Sequence, residues 1–196
     1  MKKIKFLIAA LAFVAGSVAF AQENIVAHGN MEDGASEKEW YEEGSTITLK
    51  KGKGVAGSTG LYVRGKYNWS GVGKDLTKLI NAADGSSYYV EVWYMQDPAD
   101  KGVRHSDISL CVQPSGVSEE DYDSFIYEGL DPMDSYTGSQ VQLSNKEYVK
   151  VCGVINGESI KEQLKGRKAV QSILFFKTDN PIRPYYIDNV IVKKIK

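Results

Sequence analysis

The stretch "SYYVEVWYM" (87–95) alternates Tyr88, Val90, Val92 and Tyr94 with Tyr89, Glu91, Trp93 and Met95. A period of two sends the first set to one face and the second to the other, which describes a half-buried β-strand rather than a helix. Six more runs read the same way: "STITL" (45–49), "LYVRG" (61–65), "DISLCVQ" (107–113), "EYVKVCGVI" (147–155), "AVQSILFFKT" (169–178) and "YYIDNVIVKK" (185–194). Gly, Asn, Asp and Pro punctuate them, as turns require. A shorter strand is expected around Phe125 and Tyr127. Helical pattern is limited to one turn in "LTKLI" (76–80) and two in "SIKEQLKG" (159–166). About eight to ten short strands without a βαβ rhythm predict an all-β fold, a single antiparallel β-sandwich or barrel.

The first residues stand apart from this pattern. Lys2, Lys3 and Lys5 precede the apolar run "FLIAALAFVAGSVAF", and Ala19, Phe20 and Ala21 supply a small-x-small cleavage pattern. Residues 1–21 are therefore expected to be a secretory signal peptide, with the domain at 22–196 secreted or periplasmic. The apolar run is shorter than the roughly 20 residues that span a bilayer, so no membrane insertion is expected. Without the three signal lysines, Lys and Arg fall from 24 to 21 against 25 Asp and Glu, a net charge of −4. That balance offers no footprint for nucleic acid.

Enzyme chemistry finds little support. His28 and His105 lie beside no obvious nucleophile, no Gly-x-Ser-x-Gly elbow occurs, and two His and two Cys lack metal-ligand spacing. Glu119, Glu120, Asp121 and Asp123 are adjacent in an acidic, aromatic loop (114–140), not set across a cleft as glycoside hydrolysis needs. The expectation is a non-catalytic protein. Cys111 and Cys152 both fall in strand-like runs opposite their aliphatic neighbours, so a disulfide and two half-buried thiols both stand as readings.

Two features carry more. Glu32 in "NMEDG" (30–34) and Asp188 in "YYIDNV" (185–190) are hard oxygen donors near the two ends of the chain. They could hold a Ca²⁺ with backbone carbonyls if the terminal segments pair. Spacing alone favours a polar turn and a strand-end Asp. The second feature is "GLYVRGKYNWSGVGKDLT" (60–77). Leu61 and Val63 read as core residues of one strand and "DLT" as the end of the next. Gly65 and Gly71 let the chain turn between them and present Trp69 beside Arg64, Lys66 and Asn68. One reading packs Trp69 beneath a loop. The other leaves it wet as a platform for a sugar ring, whose C–H face stacks on an aromatic plane while its hydroxyls bond to basic and amide groups.

In their order, "NIVAHGNMEDG", "GSTGLYVRGKYNWSGVGKDLTKLI", "SYYVEVWYM", "EYVKVCGVI", "SILFFKT" and "YYIDNVIV" resemble a carbohydrate-binding module of the family 4, 9 and 22 type. The resemblance covers nearly all of residues 24–194 and implies a galactose-binding-like β-jelly-roll. It implies a structural Ca²⁺ with Glu32 and Asp188 among its ligands, and a β-linked polysaccharide, xylan or β-glucan, in a groove on one sheet. Trp69 matches the family's sugar platform and Arg64 or Lys66 its basic partner. The mid-domain aromatic falls among Tyr122, Tyr127 and Tyr136, of which Tyr127 is taken as the sugar contact. Lys177 stands on the penultimate strand, where family 22 modules tend to carry an acid. An alternative keeps the jelly-roll as a structural or adhesion domain that meets a protein partner through the 114–140 loop.

Overall fold

The computed structural model describes residues 23–32, 34–132 and 137–195. The expected signal peptide and Tyr136 lie outside the described residues. Ten strands follow the turn punctuation: β1 (Tyr41–Glu43), β2 (Ser45–Lys50), β3 (Gly60–Gly65), β4 (Gly71–Asp75) and β5 (Tyr88–Gln96), then β6 (Ser106–Pro114), β7 (Ile126–Gly129), β8 (Val149–Ile155), β9 (Ala169–Thr178) and β10 (Tyr185–Lys194). Among the described residues one α-helix, α1 (Gly157–Leu164), starts at Asn156, whose side chain accepts from the Ser159 amide. It ends where Lys165 turns left-handed.

The strands form two five-stranded antiparallel sheets, β1-β4-β9-β6-β7 and β2-β3-β10-β5-β8. Inward positions fill the space between them. Val63, Val92, Tyr94, Ile187 and Tyr185 come from one sheet and Ile108, Leu110, Leu174 and Phe176 from the other, each at most 1 % exposed. This is the antiparallel β-sandwich expected from the period-two pattern.

Sheet edges need cover, because an open edge pairs with other chains. At one side β1 runs straight into β2, so the chain itself switches sheets at Gly44, whose φ of +56° suits glycine. At the other side the backbone of Asp131 pairs with Val154 of β8, and Gly138 donates to the Cys152 carbonyl. Further along, Val141 accepts from the Ser106 amide of β6. This irregular segment thereby pairs with edge strand β8 and with the end of β6 that β7 does not reach.

The first described segment docks on the last strand, the pairing of terminal segments on which the Glu32–Asp188 reading depends. Ile25 donates to Val192, Val190 donates to Gly29, and the Asn24 side chain bonds both to Val190 and to Val192. Docking occurs where β10 carries an irregularity between Asp188 and Ile191. Among the described residues, no helix is long and apolar enough to cross a membrane.

One open alternative is resolved and one expectation needs correction. Cys111 and Cys152, for which a disulfide and two thiols both stood as readings, are free thiols. Cys111 faces outward from β6 in a cluster with Ile173 and Phe175, whereas Cys152 belongs to β8 of the other sheet, next to core-facing Val151. They stand on opposite outer faces, with the whole core between them. The strand foreseen only by its "DLT" end is β4, and it begins at Gly71, which the sequence places in the turn.

Candidate binding groove

The outer face of the first sheet is hollow. Period two turns Gly71 and Gly73 of β4 outward, and a Cβ on Gly71 would lie 2.6 Å from Lys177 Cγ. A Cβ on Gly73 would lie 2.5 Å from Ile173 Cγ2 and 3.0 Å from the Phe175 ring. The two glycines therefore let the β9 side chains lie down across β4. Cys111, Ile173 and Phe175, with Phe125 against them, make a small apolar floor separate from the main core.

Around this floor opens a groove of about 630 Å³. Tyr41, Glu42, Glu43 and Gly44 line one side, Tyr122 and Tyr127 contribute from the loop and β7, and Trp69 and Lys177 complete it. Tyr41 meets Phe175 edge-on at 5.9 Å, and Tyr122 leans on Phe125 at 5.5 Å.

Trp69 is held out by its turn. Ser70 Oγ accepts from the Lys66 and Tyr67 amides and donates to the Gly44 carbonyl, while the Lys66 amide also donates to that carbonyl. Tyr67 stacks on the indole at 4.8 Å and 13°. On the benzo edge, only a glycine fits at 44, since a Cβ there would lie 2.7 Å from the ring. So backed, Trp69 stays 51 % exposed. A buried indole would add several kcal/mol of hydrophobic stabilisation at roughly 25 cal/mol/Å². The fold instead spends hydrogen bonds on keeping it out.

Burial sets the groove's protonation. It pushes the Cys111 thiol up to about 11, so the sulfur stays protonated and serves as floor. It raises the Tyr127 and Tyr41 hydroxyls, with the Glu43 charge adding to both, so both remain neutral donors. Burial also lifts the Glu43 carboxyl, against which the Lys177 charge pulls down. The Lys177 ammonium sits 4.8 Å from the Phe175 ring centre.

Of the residues expected at a sugar site, the structure brings Trp69 and Tyr127 together and leaves the others elsewhere. Arg64 pairs with Thr46 across β3 and β2 and is exposed, whereas its neighbours Leu61 and Val63 enter the core. It therefore projects from the far sheet. Lys66 and Asn68 are exposed in the turn and do not line the groove. Tyr41, Glu42 and Glu43 escaped the sequence reading. The signal was present: Tyr41 and Glu43 alternate immediately before a clear strand.

Glu32 and Asp188 converge on one loop. Asp188 is fully buried, and its Oδ2 accepts from the Val55 amide at 2.8 Å and the Ser58 hydroxyl at 2.7 Å. Its Oδ1 accepts from the Asn189 amide at 2.7 Å, and Glu32 Oε1 accepts from the Thr59 amide. Burial raises the Asp188 carboxyl, the three hydrogen bonds lower it, and the Glu32 charge raises it further. Two carboxylates repelling one another around buried oxygens are a donor set suited to a hard cation. Among the described residues, no group of three or more His, Cys, Asp or Glu gathers for a metal. Any further ligands here would be carbonyls or hydroxyls.

No family model matches the chain, and no curated protein matches it. Solved structures do. The CBM22-1 xylan-binding domain of Paenibacillus barcinonensis Xyn10C is 13% identical with a TM-score of 0.68, over 90% of this chain and 97% of that one. The CBM22-1–GH10 modules of Clostridium thermocellum xylanase 10B, complexed with xylohexaose, are 14% identical at 0.62, over 83% of this chain and 27% of that one. A xylan-binding domain from CBM22, formerly x6b, is 14% identical at 0.57, over 89% and 94%. At such identities the likeness is one of architecture, and the fold of this chain is the β-jelly-roll of family 22 carbohydrate-binding modules.

Proposed function

We propose that the protein is an exported, non-catalytic carbohydrate-binding module that holds a β-linked polysaccharide, xylan or β-glucan, in the groove of the first sheet. The observation that supports this reading is Trp69, half exposed and rigidly backed at the rim of a groove that also carries Tyr41, Tyr122 and Tyr127. The neighbours described as xylan-binding agree with it. The non-catalytic reading is supported by the lining carboxylates, since Glu42 and Glu43 are consecutive on β1 instead of facing each other. The alternative, in which the 114–140 loop meets a protein partner, involves the same residues, since Tyr122 and Tyr127 of that segment line the groove. Export rests on the sequence of residues 1–21.

A Ca²⁺ held by Glu32 and Asp188 belongs to the same proposal. Bound there, it would supply positive charge that offsets the repulsion between the two carboxylates. It would tie the N-terminal segment and the 54–59 loop to β10.

Isothermal titration against soluble xylans, β-glucans and mannans tests the function. A sugar ring covering the open part of Trp69 removes on the order of 100 Å² from water, about 2.5 kcal/mol at ~25 cal/mol/Å². Trp69→Ala is therefore expected to weaken binding by at least ~10-fold. A wild-type protein that binds no glycan, or a Trp69→Ala protein that binds as well as wild type, would sink the reading.

A further inference from the structure

We infer that the groove selects uncharged chains and turns away uronate-bearing ones, with Glu43 as the residue that discriminates. This rests on the glycan-binding reading and deepens it.

Glu42 and Glu43 are the carboxylates of the groove wall, and Lys177 is its one lining cation among the described residues. Glu43 acts across the site: its charge is felt at Tyr41 on its own strand, at Cys111 on the floor and at Tyr127 on the far wall. Glu119, in the loop, adds to the negative field at Tyr41.

Lys177 does not offset this for a ligand. Its stem lies flat on Gly71, where an added Cβ would come within 2.6 Å of Cγ and 3.3 Å of Cδ. Its ammonium stands near the Phe175 ring. Its cross-strand partner is the exposed Asp107 on β6, and its charge also acts on Glu43. The cation thus has a carboxylate on either side of β9, Asp107 from β6 and Glu43 from β1. A neutral sugar finds an acceptor in Glu43, which shares the outward face of β1 with Tyr41, and donors in the tyrosine hydroxyls. A uronate meets the Glu43 carboxylate on the wall, with Lys177 already engaged by Glu43 and Asp107, and like charges brought together suppress the wrong partner.

The experiment titrates the full-length mature protein with two matched pairs. One is xylohexaose and the same oligomer bearing a glucuronate branch. The other is cellohexaose and its C6-carboxylated counterpart. At about 10 mM salt, where the Debye length is ~30 Å, the uronate form of the bound pair should bind about tenfold more weakly. The gap should shrink toward parity near 1 M salt, where the length is ~3 Å, and shrink also in Glu43→Gln, read as a ratio whatever the absolute affinity. Parity at low salt overturns the inference and leaves the glycan reading standing. So does a gap that neither salt nor Glu43→Gln changes, since that is a steric effect. If neither neutral oligosaccharide binds, the inference and the glycan reading both fail.

Discussion

Tyr94 and Tyr185 stack in the core at 5.9 Å, and their hydroxyls fare differently. Tyr185 donates to the Phe176 carbonyl at 2.7 Å, whereas the Tyr94 hydroxyl is buried without a hydrogen-bond partner among the described residues. A buried hydroxyl with no partner costs stability, and removing it relieves that cost. Tyr94→Phe should raise stability to urea by about 1 kcal/mol, and Tyr185→Phe should lower it by about as much. Equal effects of the same sign would contradict this contrast. Alternation alone grouped Tyr94 with Tyr88, Val90 and Val92 on one face, and the run 185–194 placed Tyr185 on a strand. Whether a phenol finds an acceptor depends on the opposite sheet, which no local pattern encodes. The same limit separates Trp69 from Arg64. Trp69 could be found because a large aromatic among polar residues and glycines has few reasons to be there. Arg64 lies five residues away, but a strand alternates its faces, and position 64 follows Tyr62 to the outside of the other sheet.

Among the elements, β9 and β10 were legible to the residue, because long β-branched and aromatic runs leave no other reading. The start of β4 was hidden for a physical reason. Its outward residues are Gly71 and Gly73, which resemble turn punctuation but are required by the side chains lying over them. β1 is only three residues long, so the alternation of Tyr41 and Glu43 is a weak signal on its own. The 54–59 loop was likewise unreadable as a site, although the Glu32 and Asp188 that it joins were singled out. Gly54 is the tight point of that loop: a Cβ there would lie 2.6 Å from Asp188 Oδ2 and 2.4 Å from Ser58 Oγ. If the proposed Ca²⁺ occupies the loop, EDTA should lower the melting temperature of the wild type, because a ligand bound only by the folded state adds stability. Gly54→Ala should melt lower than wild type and respond less to EDTA. A wild-type melting curve that EDTA leaves unchanged, with no metal in the purified protein, would remove the cation from the proposal.

For the whole molecule, the sandwich places its two thiols on opposite faces. Thiol titration of the denatured protein without reductant should count two, and dithiothreitol should leave the melting temperature where it was. A count of zero would mean that the two faces had been assigned wrongly. The fold class was legible because burial on one side of each strand writes itself into every second residue. The strand order β1-β4-β9-β6-β7 was not, since it joins residues as distant in the chain as Tyr41 and Lys177 around one groove. That division of labour has an evolutionary consequence. Inward positions answer to the core and outward positions of the first sheet answer to whatever occupies the groove, so the two sets can change independently. Ligand preference can be rewritten one strand at a time, at Glu43, Tyr127 or Lys177, without disturbing Val72, Ile126 or Phe176 beside them. An architecture built this way can persist at 13% identity.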